Sequence, residues 1–267
     1  MKLLLRLSIL LLSISGFSQA SKDVQVEYQL FSNTSWPMKM FTTLYVSGNT
    51  AIYRERFNTK EPWLERSTPE ILAQQKKFAS DVVLEDTYQM TDRNKKEVLF
   101  YDYVMSKKFL VRDLCPDIQW QITDETKTVA GLTCIKAVGD FRGRQWIAWF
   151  APEIPLAFGP WKLQGLPGII LEAYDSTEKY AIKAYKVEYK KSEFAGVDFT
   201  KLVAVDNNKP ISYQQFVQDN DEGLDNLFAN TDHQKEADAA GIKVTNITVG
   251  KPVTVREGFE LKYEWEK

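Results

Sequence analysis

Between Asp23 and Phe31 the chain reads DVQVEYQLF. Val24, Val26, Tyr28 and Leu30 occupy every second position, with Gln25, Glu27 and Gln29 between them. This period of two puts apolar side chains on one face of a β-strand and polar ones on the other; a helix needs a repeat near 3.6. The pattern returns along the chain. Residues 40–57 hold Ser47-Gly48-Asn49 between two β-branched and aromatic runs, a hairpin signal. Residues 96–115 form a second hairpin pattern, turning near Ser106-Lys107. DIQWQITDETKTVAGLTCIKAVGDF, RQWIAWF and KYAIKAYKVEYK continue it, and the tail from Lys243 carries two more short strand patterns. Turn residues recur at intervals of roughly 8 to 15 residues, the rhythm of antiparallel β structure.

Two helices interrupt the meander. Thr68 is an N-cap with Pro69 at the first helical position, ahead of EILAQQKKFA. Ser212 is a second N-cap with Gln215 as capping-box partner; Phe216, Leu224, Leu227 and Phe228 share a face, Gly223 is a break and Gly241 an end. The expected fold is mainly β with a few helices: a large curved antiparallel sheet, half-barrel-like, with helices packed against it. With neither repeat nor linker, residues 21–267 read as a single domain.

The first 20 residues read as an export signal. Lys2 and Arg6 bracket a positive start, Leu3 to Leu12 form the apolar run, and Ser18-Gln19-Ala20 supplies small residues for cleavage after Ala20. No cysteine follows the cleavage point to take a lipid anchor, and no later run approaches the ~18 apolar residues of a membrane-spanning helix. The expectation is an exported protein of the periplasm or medium, not lipid-anchored. Loss of Lys2 and Arg6 takes the formal charge from −2 to −4. A chain without a basic field is a poor partner for nucleic acid. Cys115 and Cys134 lie symmetrically about Asp124-Glu125, so a hairpin turning there would bring them within disulfide reach in an oxidising compartment. Two separate buried thiols are the alternative.

Much catalytic chemistry lacks its residues. His233 is the one histidine, so no multi-histidine metal site can form, and a Ser-His-Asp triad would have to use it. There is no GxSxG elbow, CxxC, GxGxxG or P-loop. No metal and no cofactor is expected. Carboxylates remain, and paired acids of the glycosidase kind need no histidine. Glu153, Glu172 and Asp175 are candidates by position.

AFGPWKLQGLPGIILEAYD, residues 157–175, concentrates the chain's backbone punctuation. Gly159-Pro160 and Gly165-Leu166-Pro167-Gly168 form a double turn. Leu166 is pushed extended by Pro167, and Gly168 is expected to take the positive φ of a type II turn. The turn launches Ile169 onward as a strand. Trp146 and Trp161 either plug one end of a half-open barrel or line a cleft. Arg142 and Arg144, two apart on an expected strand, share a face. They either hold a carboxylate or phosphate or pair with acidic neighbours in solvent.

GLTCIKA, FRGRQWIAWFAPEIP and GPWKLQGLPGIILEAYD resemble, in that order, the signature of the GLPGLI family of exported bacterial proteins. The namesake motif is Gly165-Leu166-Pro167-Gly168-Ile169-Ile170, with isoleucine in place of leucine. EYQL near the start and YEWE at the end are also similar. The resemblance implies an envelope protein and no enzyme. The β-meander is also similar to the curved half-barrels of lipoprotein carriers.

The residues together point to a non-catalytic exported binding or carrier protein. It would hold an apolar ligand or an extended segment of an envelope partner in a concavity lined by aromatics from 141 to 171. A carboxylate-dependent hydrolase is the second reading. The third is a module that docks an outer-membrane protein through an uncharged sheet edge.

Overall fold

The computed structural model describes residues 23–34, 38–56, 86–104, 107–114, 116–203, 209–230 and 258–266. The expected export signal, the Thr68 helix, His233, Gly241 and Cys115 lie outside the described residues. Twelve strands run β1 (Val24–Ser32), β2 (Met38–Ser47), β3 (Thr50–Arg56), β4 (Thr87–Asp92), β5 (Glu97–Val104), β6 (Lys107–Asp113), β7 (Gln121–Val129), β8 (Leu132–Phe141), β9 (Arg144–Ala151), β10 (Ile169–Asp175), β11 (Tyr180–Tyr189) and β12 (Ile211–Ser212). Helices are α1 (Phe199–Val203) and α2 (Tyr213–Asn230).

All twelve strands form one open sheet, ordered β12-β6-β5-β4-β3-β2-β1-β11-β10-β9-β8-β7. Each sequential hairpin pairs with its neighbour, and β1 closes against β11 with Leu30 opposite Ile182. Only the two-residue β12 runs parallel to its neighbour, β6. The expected large antiparallel sheet with helices against it is therefore the observed architecture.

The alternation in β1 works as its pattern requires: Val24, Val26, Tyr28 and Leu30 are buried. Tyr28 resolves its polar end by donating to Ile170 O at 2.8 Å. Two apolar clusters make up most of the core. One gathers Tyr28, Leu44 and Tyr53 with Phe158 and Ile169; the other centres on Trp146, Phe150, Leu163 and Leu166. Trp161 and Phe259 touch both. Helix α1 buries Phe199 and Val203 against Ile52, Leu99 and Leu110. Helix α2 packs Phe216 and Val217 on Val111 and Tyr263. Its Ser212 cap is real: the Gln215 amide donates to Ser212 Oγ at 3.1 Å. The helix runs straight through Gly223, where a break was expected.

Two local expectations are corrected. First, the β7–β8 hairpin turns at Ala130-Gly131, both at positive φ (48° and 81°), and not at Asp124. Lys127 therefore faces Cys134, which is a buried free thiol. The symmetry argument for a Cys115–Cys134 bridge fails with the register. Second, Arg142 does not lie on a strand. Arg142 and Gly143 are the two turn residues between Phe141 and Arg144, at φ 46° and 84°. Successive positive φ values are those of the type I′ turn that matches strand twist. The described tail, 258–266, is an irregular strap; the tail strands expected from Lys243 fall largely outside the described residues.

Candidate functional site

A cleft of about 370 Å³ opens where β3, β4 and β5 meet the 152–168 loop, α2 and the strap. Strand register builds its wall. Tyr53 pairs with Gln89 and Gln89 with Phe100, giving one cross-strand row. Glu55 pairs with Thr87, and continuing the same register puts Thr87 level with Asp102. Side chains two apart on a strand share a face, so both rows line the cleft. Trp161 and Lys162 from the loop, Tyr213 from α2 and Phe259, Glu260 and Tyr263 from the strap complete it.

The loop is held by its backbone. Gly159 could carry no Cβ without meeting Leu163 O at 2.6 Å, nor Gly168 without meeting Ala151 O at 2.3 Å. Gly168 is thus needed for room. The positive φ expected there belongs to Gly165, at 97°, and to Trp161, at 54°. Leu166 is buried and Pro167 exposed. Gln89 Nε2 donates to Trp161 O at 2.6 Å and Trp120 Nε1 to Gln164 O at 2.8 Å, tying the loop to β4 and to the segment before β7.

The two arginines are structural anchors. Arg142 is buried, in neither solvent nor cleft, and grips Asp113 through two nitrogens at 2.7 and 2.8 Å, Glu260 at 2.6 Å and Glu264 at 2.9 Å. Its carbonyl accepts from Leu261 and Lys262 amides at 2.8 and 3.1 Å. The strap crosses the turn so closely that a Cβ on Gly143 would stand 2.9 Å from Leu261 Cβ. Arg144 Nη1 donates to Asp175 Oδ2 at 2.9 Å, and Nη2 to Gly258 O at 2.7 Å. The carboxylates that sequence reasoning sought as a ligand come from the chain itself.

Lys162 joins the same network, donating to Glu260 at 2.9 Å and pairing with Asp113 at 2.7 Å. Burial opposes the Asp113 charge, but Lys162 and Arg142 hold its carboxyl down at about 2. Burial likewise works against Arg142, yet Asp113 and Glu260 keep its pKa above the ordinary value. The Tyr213 hydroxyl bonds Glu260; burial, then the Glu260 charge, pushes its pKa up.

Of the expected aromatic lining, Trp161 alone is at the cleft. Trp146 is fully buried, 6.1 Å from Phe259 in a stack. Trp161 is half-buried and stacks on Phe259 at 4.8 Å. The carboxylates considered from the sequence are placed elsewhere. Glu153 is exposed, Glu172 pairs with Lys127 and Lys183, and Asp175 with Arg144. Besides Glu260, which is held in the Arg142 network, the carboxylates on the cleft are Glu55 and Asp102. Burial raises the Glu55 pKa, as does the Asp102 charge, against the Thr87 hydroxyl bond of 2.9 Å. Asp102 is exposed at the cleft, and the desolvation its neighbours still impose raises its carboxyl, opposed by the Tyr103 amide and Lys162. No sequence signal marks Glu55 or Asp102; only strand pairing brings them level.

The docking reading expected an uncharged edge; of the two ends of the sheet, β7 and β12, the strand β7 carries Asp124, Glu125 and Lys127. Charges of this kind discourage strand addition. Among the described residues, no helix is long and apolar enough to cross a membrane, and no group of three or more His, Cys, Asp or Glu stands ready for a metal ion.

Residues 141–172 match a family described as "Protein of unknown function (Porph_ging)". They span the anchoring arginines, the loop and the start of β10. No curated protein matches the chain. Among solved structures, PNGF-II in one crystal form superposes with a TM-score of 0.51 at 14% identity, over 75% of this chain and 33% of that one. A second PNGF-II crystal form gives 0.49 at 13%, over 76% and 34%. A LolA superfamily protein from Nitrosomonas europaea gives 0.29 at 8%, over 66% and 89%, a score too low to define a shared fold. The chain spans about a third of the length of the PNGF-II chains it matches, and at these identities the likeness is one of fold.

Proposed function

We propose that this is an exported binding or carrier protein whose ligand sits in the cleft bounded by β3–β5, Trp161 and the C-terminal strap. The observation that carries the reading is the cleft itself. It is a preformed concavity with aromatic walls and a few convergent polar groups, the usual make-up of a small-molecule site. Its far wall is rigid, because Lys162 and Glu260 are locked into the Arg142–Asp113 network. Rigid walls spare a ligand the ordering cost that a flexible site would levy. The leader supports export, and the apolar cores supply the scaffold.

The test is purification from the periplasm followed by mass spectrometry of small molecules retained by wild type and by Thr87→Trp, which fills the cleft. The reading expects a molecule retained by wild type and lost from the variant. Equal retention by both would refute it.

One observation favours a second reading, a carboxylate-dependent hydrolase. Glu55 and Asp102 face one cleft from strands separated by β4, with backbones about 10 Å apart, and each carboxyl is raised. A raised acid beside a second carboxylate is the arrangement of paired-acid hydrolysis. In that case Glu55→Gln would retain intact substrate where wild type retains a cleaved product. A binding protein would retain the same molecule in both.

A further inference from the structure

Among the described residues, the charges lining the cleft do not balance. Each of the described buried acids, Asp92, Glu97, Asp113, Glu172, Asp175 and Glu260, pairs with at least one Lys or Arg. Glu55 and Asp102 have no Lys or Arg within ion-pair distance among the described residues: Glu55 accepts from Thr87 Oγ1, and Asp102 from the Tyr103 amide. Lys162, the one basic residue among the described lining, is committed to Asp113 and Glu260. Among the described residues the lining therefore carries three acids, Glu55, Asp102 and Glu260, against one base.

The walls around these acids also favour positive charge. Lys162 Nζ stands 4.0 Å from the Tyr213 ring centroid and 4.9 Å from that of Phe100. Ring faces so placed present negative potential. The buried Tyr53 hydroxyl, on a residue that also lines the cleft, has no hydrogen-bond partner of normal geometry, and neither has the Thr42 hydroxyl beside it. Two carboxylates without a third ligand make a poor cage for a metal ion, which needs more donors. An organic cation needs only the charge and the rings.

Resting on the reading of the cleft as a binding site, we infer that its ligand is an organic cation, an amine or quaternary ammonium on an apolar or aromatic body. The positive group lies at Glu55 and Asp102, and the body lies against Phe100, Trp161 and Tyr213. The cation offsets the excess of acids in the described lining and makes charge-assisted bonds to both carboxylates.

Calorimetric titration with three matched probes tests this: 2-phenylethylamine, 2-phenylethanol and 3-phenylpropanoate at neutral pH. The amine is expected to bind at least about tenfold tighter than the alcohol, with the propanoate weakest. The isosteric double variant Glu55→Gln, Asp102→Asn should abolish the amine's advantage and leave the alcohol within about twofold, with an unchanged circular dichroism spectrum. Alcohol or propanoate binding as tightly as the amine, lost in Thr87→Trp, would overturn the cation and keep the cleft. An amine preference that survives in the double variant would also overturn the cation assignment. If no probe binds and Thr87→Trp retains the same molecules as wild type, the cation and the cleft reading fail together.

Discussion

Arg142 Nη1 donates to Glu260 Oε1 at 2.6 Å, across 118 residues of chain. The bond joins the turn between β8 and β9 to the C-terminal strap, and Asp113 completes the anchor from β6. Truncating one member of such a buried network leaves the others charged and unpaired. Arg142→Ala should therefore cost about 3–5 kcal/mol in urea unfolding. Arg142→Ala combined with Asp113→Asn should cost less than the sum of the two single variants, because the second change removes a charge the first had stranded. Strict additivity would mean that the two side chains do not share a network.

The glycines of the loop fail for different reasons. Gly168→Ala drives a Cβ into the Ala151 carbonyl, which is backbone and cannot yield. Gly165→Ala meets only Trp120, at 3.8 Å, but must hold φ 97°. The positive φ alone costs about 1–2 kcal/mol, whereas the clash also displaces β9 or β10. Gly168→Ala should be the more destabilising of the two in urea midpoints, and the reverse order would contradict the assignment of space to one and conformation to the other.

Two sets of carboxylates give opposite pH dependence. Asp113 is lowered to about 2, so the stability it adds is in place above its ordinary value near 3.8 and is lost as pH falls through about 2. Glu55 and Asp102 are raised. Their contribution is fully present below their unfolded pKa values and is lost as pH rises through the folded ones. The groups acting on Glu55 are Thr87 and Asp102, Tyr53 feels the Glu55 charge, and Lys162 acts on Asp102. Stability curves of wild type and of Glu55→Gln, Asp102→Asn should coincide near pH 3, with the variant the more stable at pH 7. A variant less stable at pH 7 would show that the pair is compensated.

Much of the sheet was legible, and the reason is local. Val24 to Leu30 declare their faces by alternation, and Ser47-Gly48-Asn49 declares its turn, because both signals sit within a few residues. The β7–β8 register was misread, since β7 is an exposed edge strand with no apolar stripe to fix its phase. The anchor and the cleft could not be read at all. Arg142 meets Glu260, and Glu55 stands level with Asp102, only after long-range pairing has been chosen. Trp161 was found because two turn signals enclose it, while Trp146, chosen by proximity in sequence, is core.

Cys134 is buried, and burial raises its thiol to about 11. Native protein should leave Cys134 unlabelled by iodoacetamide at neutral pH, and urea should expose it. Peptide mapping after alkylation reads this directly. A Cys134 that resists alkylation in urea until reductant is added would reveal a disulfide and contradict the free thiol.

The central claim is that ligand enters beside Trp161, and fluorine NMR of protein labelled with 5-fluorotryptophan tests it most directly. Trp161→Phe and Trp146→Phe assign the two resonances. Adding an organic extract of the cell envelope should shift the Trp161 signal and leave the fully buried Trp146 signal in place. A spectrum in which Trp161 stays fixed, or in which only tryptophans away from the cleft respond, would contradict the account.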